Sequence, residues 1–167
     1  MDKENSIKAV IELINSLGIE NEIREALISK KATERKEKTS NGYQIYYDEA
    51  SGEAVGIVYK NMVFLKNTSE KKLHWYDAAI YCKTVVINGI TSQLCPADES
   101  WKTEFKRIAR GVYKALLEIG AEKLDCLTWA SEYNAKCAWY QRFSDGLIYN
   151  FYCKDNYNYV RPVLILD

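Results

Sequence analysis

The sequence is poor in the residues that carry most enzyme chemistry. It holds a single histidine, His74, so a two-histidine metal site is excluded by counting. A serine–histidine–aspartate triad could run only through that residue, and no strained nucleophile turn accompanies it. Eight glycines never gather into a phosphate loop or a dinucleotide fingerprint. Charge of one sign is also lacking. The 23 basic and 23 acidic side chains cancel, whereas a general nucleic-acid binder needs a basic surplus to displace counterions. No apolar run approaches the ~20 residues of a membrane-spanning helix. Met1 to Asn5 has none of the apolar stretch of a secretory signal, so the cytoplasm or a phage particle is the expected setting. The five cysteines, Cys82, Cys95, Cys126, Cys137 and Cys153, are odd in number and none sits in a Cys-x-x-Cys pair. Free thiols are therefore expected. Zinc-ligand spacing is missing, and no cofactor or metal is expected.

What is present suits a packed core: 47% hydrophobic and 28% charged residues, with 13 tyrosines and four tryptophans. Residues 1–42 read as an N-terminal helical appendage and linker. Ile7, Val10, Ile11, Ile14 and Leu17 share one helical face over 6–17, and Gly18 can stop that helix. A second helix over 20–31 would turn Ile23, Leu27 and Ile28 inward. Two short helices are marginal alone, so these faces should pack on the main domain or on a second subunit, making a homo-oligomer. The basic cluster Lys30, Lys31, Arg35, Lys36 and Lys38 is broken by Glu34 and Glu37 and reads as a solvated face.

Residues 43–167 read as the main domain. Tyr43–Asp48, Ala54–Tyr59 and Met62–Leu65 have strand composition, with Lys60-Asn61 as a turn. Two helices follow. The first carries Trp75, Ala79, Cys82 and Val86 on one stripe and ends at Asn88-Gly89. The second opens after Pro96, with Asp98 or Ser100 as cap. Its stripe is Trp101, Phe105, Ile108, Val112, Leu116 and Ile119, and Gly120 stops it. The tail returns to strands: Ala138–Phe143 and Leu147–Cys153 around Ser144-Asp145-Gly146, then a last strand over Tyr159–Leu166. This order predicts an α+β domain with a mostly antiparallel sheet and two helices.

Chemistry-bearing candidates are few. His74, at a helix start, reads as a capping or surface residue. Cys95, before Pro96, is the best-placed thiol for a nucleophile, although a buried inert thiol is the plainer reading. Glu99 with Glu104, or Glu132 with Asp145, could do acid–base work only if folding joined them. The tail stands out instead. Tyr133, Tyr140, Tyr149, Tyr152, Tyr157 and Tyr159 are interleaved with Asn134, Asn150, Asn156 and Asn158. Tyrosine offers rigid contact area with a polar tip and asparagine offers adaptable hydrogen bonds, as in paratopes. Period-2 geometry places Tyr149 and Phe151 on one face of the strand, with Asn150 and Tyr152 on the other. Tyr140, Arg142, Tyr149, Phe151, Tyr152, Asn156 and Tyr157 are the expected ligand-binding residues. No catalytic residue is expected.

Several signals in order resemble the C-terminal domain of Legionella collagen-like proteins. They are Trp75-Tyr76-Asp77-Ala78-Ala79-Ile80-Tyr81-Cys82, Leu94-Cys95-Pro96 before the helix with Trp101, and Trp129-Ala130-Ser131-Glu132-Tyr133. Next come Ala138-Trp139-Tyr140, Phe143-Ser144-Asp145-Gly146 and the ending Tyr159-Val160-Arg161-Pro162-Val163. The likeness runs roughly from Tyr43 to Leu166. Where that family has Trp-Arg-Leu-Pro, this chain has Ser92-Gln93-Leu94-Cys95-Pro96. The resemblance implies a C-type-lectin-like fold and a binding, adhesion or display role toward a protein or glycan. Similar domains are variable targets of diversity-generating retroelements, whose diversified positions hold Tyr, Asn, Asp, Ser, Phe and Cys. Calcium-dependent sugar binding is not implied, because neither Glu-Pro-Asn nor Trp-Asn-Asp occurs. The formylglycine-generating enzymes share the broad fold, but their catalytic cysteine motif finds no match; the alternative readings are an enzyme distantly related to them, or a structural or assembly part of a phage particle. On this likeness Trp75, Trp101, Trp129 and Trp139 would hold the core. Arg161 would be the one buried or half-buried charge, paired with a carboxylate or with backbone carbonyls.

Overall fold

The computed structural model describes residues 37–122 and 126–167. The helices expected over 6–17 and 20–31 lie outside them. The chain divides into two compact units, and the larger, residues 36–48 with 53–167, contains every element below. It is an α+β unit. One sheet has the strand order β1 (Gln44–Tyr47), β2 (Ala54–Tyr59), β3 (Met62–Leu65), β10 (Val163–Ile165), and another the order β8 (Leu147–Cys153), β7 (Cys137–Arg142), β6 (Thr128–Glu132), β9 (Tyr159–Val160), with a small hairpin of β4 (Val86–Ile87) and β5 (Ile90–Thr91). The only parallel pairing between strands of the described sheets is β6 with β9.

The first sheet opens with β1 (Gln44–Tyr47), β2 (Ala54–Tyr59) and β3 (Met62–Leu65), close to the aromatic and β-branched runs that predict them. Lys60 takes a left-handed φ of 54° in the two-residue turn between β2 and β3. All four residues of β3 are buried.

Helix α1 (Trp75–Thr84) is shorter than its apolar stripe suggests. Val86 lies beyond it, in β4 (Val86–Ile87), which pairs with β5 (Ile90–Thr91). Asn88-Gly89, read from sequence as a helix stop, is instead the hairpin turn, with φ of 51° and 76°. Two successive left-handed residues are what a type I′ turn requires, and Asn-Gly supplies them at least strain.

Helix α2 (Glu99–Glu118) follows its pattern closely. The Asp98 carboxylate accepts the Trp101 backbone N–H at 2.7 Å. At the other end Gly120, with φ of 89°, allows its own N–H to reach Leu117 O and that of Ala121 to reach Leu116 O. These two bonds are a Schellman stop. The inward stripe packs Trp101, Phe105, Ile108, Ala109, Val112, Ala115 and Leu116 against Phe64, Trp139, Phe143 and Ile148.

The second sheet contains β6 (Thr128–Glu132), β7 (Cys137–Arg142), β8 (Leu147–Cys153) and β9 (Tyr159–Val160). Its β6–β7 pair is buried from two sides, whereas β8 buries only Ile148. Ala130, Trp139 and Ile148 join the core under α2, while Trp129, Ala138 and Tyr140 join a second cluster with Ala78 and Cys82 of α1. Of the four tryptophans, Trp129, Trp139 and Trp101 are buried. Trp75 is half-buried and donates from Nε1 to Ala130 O at 2.8 Å.

The last strand expected over Tyr159–Leu166 is broken in two. β9 pairs with β6 in the second sheet, and β10 (Val163–Ile165) pairs with β3 in the first. The change of sheet falls at Arg161-Pro162, where proline has no N–H to continue a ladder. Arg161 is buried there and donates from Nη1 to Leu65 O at 2.6 Å and Lys66 O at 2.7 Å. Of the two kinds of partner expected for it, the backbone carbonyls are the ones found. It is not the sole buried charge, because Lys154 is only 2% exposed.

Candidate functional site

Strand β8 is one edge of the second sheet, and β9 is the other. Its pairing with β7 sets Cys137 opposite Cys153, Ala138 opposite Tyr152 and Tyr140 opposite Tyr149. Two steps along β7 therefore match three along β8, which is a β-bulge. The extra residue breaks the alternation of faces, so Tyr149 and Tyr152 both lie on the face of Ala138 and Tyr140. This corrects the expectation that Tyr152 would oppose Tyr149. Asn150 does turn away, donating from Nδ2 to Glu99 Oε1 at the start of α2 at 3.2 Å.

The result is a cluster of four aromatic rings. Tyr140 lies 5.9 Å from Tyr149, 6.1 Å from Phe151 and 4.8 Å from Tyr152, and Tyr149 lies 5.3 Å from Phe151. Such spacings favour edge-to-face and offset contact. Tyr140 is the buried floor, 7% exposed, whereas Tyr149 is 42% and Phe151 64% exposed. Burial, then the neighbouring Tyr149 and Tyr152 hydroxyls, push the Tyr140 phenol pKa upward. Tyr152 is half-buried and its ring meets Trp129 at 5.6 Å, tying the patch to the core.

The other expected residues stand around this cluster. Arg142 is two positions along β7 from Tyr140. It donates to Asp145 from Nε at 3.1 Å and from Nη2 at 2.5 Å, and hydrogen bonding to Arg142 is the main cause holding the Asp145 carboxyl below its ordinary range. Asn156 is exposed in the turn after β8. Tyr157, 56% exposed, packs its ring 3.8 Å from that of His74. Four of the seven residues are thus gathered in ring contact, Tyr157 belongs to a separate contact at the start of α1, and Arg142 is engaged in an ion pair.

Sequence reasoning missed Lys154. Its Nζ pairs with Glu132, donates to Ala135 O at 3.3 Å, and stands 4.5 Å above the Trp75 ring and 5.4 Å from that of Tyr76. A lysine in a polar turn carries no sequence signal for burial. Tyr76 and Ile80 were also missed; both are exposed, and four residues apart they share one face of α1.

The remaining candidates are accounted for locally. His74 is the N-cap residue of α1, but its side chain makes no capping bond. Cys95 is fully buried and its thiol pKa is pushed up to about 12 by burial, so it stays protonated at neutral pH. Glu99 and Glu104 each meet their own cation, Lys102 at 3.4 Å and Lys60 and Arg107 at 2.9 Å. Glu132 and Asp145 pair separately with Lys154 and Arg142. Among the described residues no three His, Cys, Asp or Glu side chains gather as a metal site, and no helix is long and apolar enough to cross a membrane.

A concavity of about 710 Å³ lies beside Trp101, Ser131 and Ile165, and one of about 520 Å³ beside Tyr81, Tyr159 and Arg161. Neither is lined by an expected ligand-binding residue. No protein-family model matches this chain, and comparison with curated proteins finds no match either.

Proposed function

We propose that the chain is a non-catalytic binding or display module of the C-type-lectin-like kind, and that its ligand docks on the aromatic face of β8. The observation that carries this reading is the bulge-gathered set Tyr149, Phe151 and Tyr152 over Tyr140, with Phe151 64% exposed. A protein that buries three tryptophans yet leaves this cluster in water retains it for contact, because contiguous exposed apolar patches usually mark a partner. The rings are held by one another, so little side-chain entropy is lost on docking. Exposed rings such as Tyr149 and Phe151 are the kind of anchor that protein and glycan partners use. The C-type-lectin-like assignment rests on the sequence resemblance and is compatible with an α+β unit of two helices and two small sheets. Diversification by a retroelement belongs to the same proposal: exposed Tyr149, Phe151, Asn156 and Tyr157 are where variation would alter recognition without disturbing the core.

The test is a labelled full-length protein on panels of displayed cell-surface proteins and glycans, compared with Tyr149→Ala and Phe151→Ala. Aromatic anchors cost ~2 kcal/mol or more on truncation, so each variant should lose roughly thirtyfold in affinity. Both should melt within ~0.5 kcal/mol of wild type in urea titrations, as exposed positions do. Trp129→Ala, at a fully buried position, should instead lose ~3–5 kcal/mol of stability. Binding that is indifferent to both face variants, or absent from every panel, overturns the reading.

A further inference from the structure

The β7–β8 ladder places two free cysteines face to face. Cys137, half-buried, and Cys153, exposed, are direct partners across the antiparallel pair. The neighbouring Lys154 N–H donates to Lys136 O at 3.0 Å. A bond between the residues flanking a pair on its outer side marks that pair as the non-hydrogen-bonded kind, whose Cα atoms approach to ~4.5 Å. Disulfides span Cα separations of ~4.4–6.8 Å, so the backbone already holds both residues at bonding range. The Cys153 thiol now lies 3.8 Å from an Asp155 carboxylate oxygen, a contact it gives up on bonding Cys137.

We propose that Cys137 and Cys153 form a reversible cross-strand disulfide, a thiol-oxidation site at the end of the edge strand that carries Tyr152. The oxidant class is a small-molecule disulfide. The exposed Cys153 thiolate attacks one sulfur of oxidised glutathione, a mixed disulfide forms, and one glutathione thiolate leaves. The Cys137 thiolate then attacks the Cys153 sulfur and expels the second glutathione. Two protein thiols are oxidised, one glutathione disulfide is reduced to two thiols, and the two protons released from the cysteines are taken up by the leaving thiolates. Cys82 and Cys95 do not compete, because both are fully buried and their thiol pKa values are pushed up to about 12. Closing the bond ties the end of β8 to β7 just beyond the bulge, where strand pairing is otherwise interrupted.

The experiment uses the full chain, first reduced and then held in oxidised glutathione. Remaining thiols are alkylated under denaturing conditions, and intact mass and tryptic peptides are read. Of the five thiols alkylated in the denatured, reduced chain, those of Cys137 and Cys153 should both be lost with a mass lower by two hydrogens, any glutathione adduct on the half-buried Cys126 being counted apart. Peptides 137–142 and 143–154 should be joined, and added thiol should separate them. In Cys137→Ser, Cys153 should stop at the glutathione adduct. Five thiols remaining, adducts alone in the wild type, or a bond joining any other pair overturns the proposal. Because Cys137→Ser removes no buried group essential to the core, an unchanged circular dichroism spectrum checks that it folds. Should that variant fail to fold, the wild-type peptide map decides alone.

Discussion

Lys154 shows how much a single side chain can depend on its neighbours. Its ammonium is almost wholly removed from water, yet it keeps one carboxylate, one carbonyl and two aromatic faces around it. Desolvating a charge costs several kcal/mol, and partners offset that cost only while they remain. Removing the charge itself should therefore be gentler than removing its partner. Lys154→Met is expected to destabilise less than Glu132→Gln, because the methionine fills the same space without a charge, and Glu132, half-exposed, is rehydrated. Glu132→Gln strands a buried ammonium and should cost about 1–3 kcal/mol, below the range for fully buried pairs because water reaches this carboxylate. Urea titrations of both variants decide it, and the reverse order would refute the argument. At the same scale, Tyr152 shares the face of Tyr149 because a bulge interrupts the strict alternation that the sequence pattern predicts. No residue type in Asn150-Phe151 announces one.

At the scale of elements, α2 is the most legible part of the chain. Its cap, its stripe and its glycine stop all stand where the sequence places them, since each is set by local geometry within a few residues. Asp98→Ala should lose ~1 kcal/mol, the usual value of an N-cap bond. Asp98→Asn should recover most of that, because an amide oxygen accepts the Trp101 N–H equally well; a neutral alanine variant would mean that Asp98 is not capping. α1 is less legible. Asn-Gly is both a helix stop and a hairpin turn in sequence terms, and only the pairing of Val86 with Thr91 chooses between them. The ending is similar: an apolar run over Tyr159–Leu166 reads as one strand, but Arg161-Pro162 hands it from one sheet to another.

For the whole molecule, buried thiols set the response to alkali. The Cys82 and Cys95 pKa values are both raised from near 9 to about 12 by burial. Their neutral forms are native and their thiolates belong to the unfolded chain, so the stability they contribute is complete below about pH 9. It is lost progressively between pH 9 and 12. Tyr43, Tyr81 and Tyr140 are raised for the same first reason and act in the same direction at higher pH. Arg161, lowered to about 10 by burial, opposes them above that value. The urea midpoint under reducing conditions should therefore fall between about pH 8 and about pH 10. A flat profile would mean that these thiols are hydrated in the native state.

By itself the sequence determined the class of the molecule: alternating and 3.6-period apolar patterns, cap and turn residues, and an aromatic, asparagine-rich tail are local properties that a linear reading can recover. It also singled out the residues of the candidate face. Only the tertiary structure decided which of them meet. The β8 bulge brought Tyr149 and Tyr152 to one side, burial claimed Tyr140, and Glu132 claimed Lys154. The ladder set Cys137 against Cys153, 16 positions apart in the chain. Such encounters depend on strand register and on packing between distant segments, and both are fixed by the summed burial of the whole core, which no short window of sequence contains.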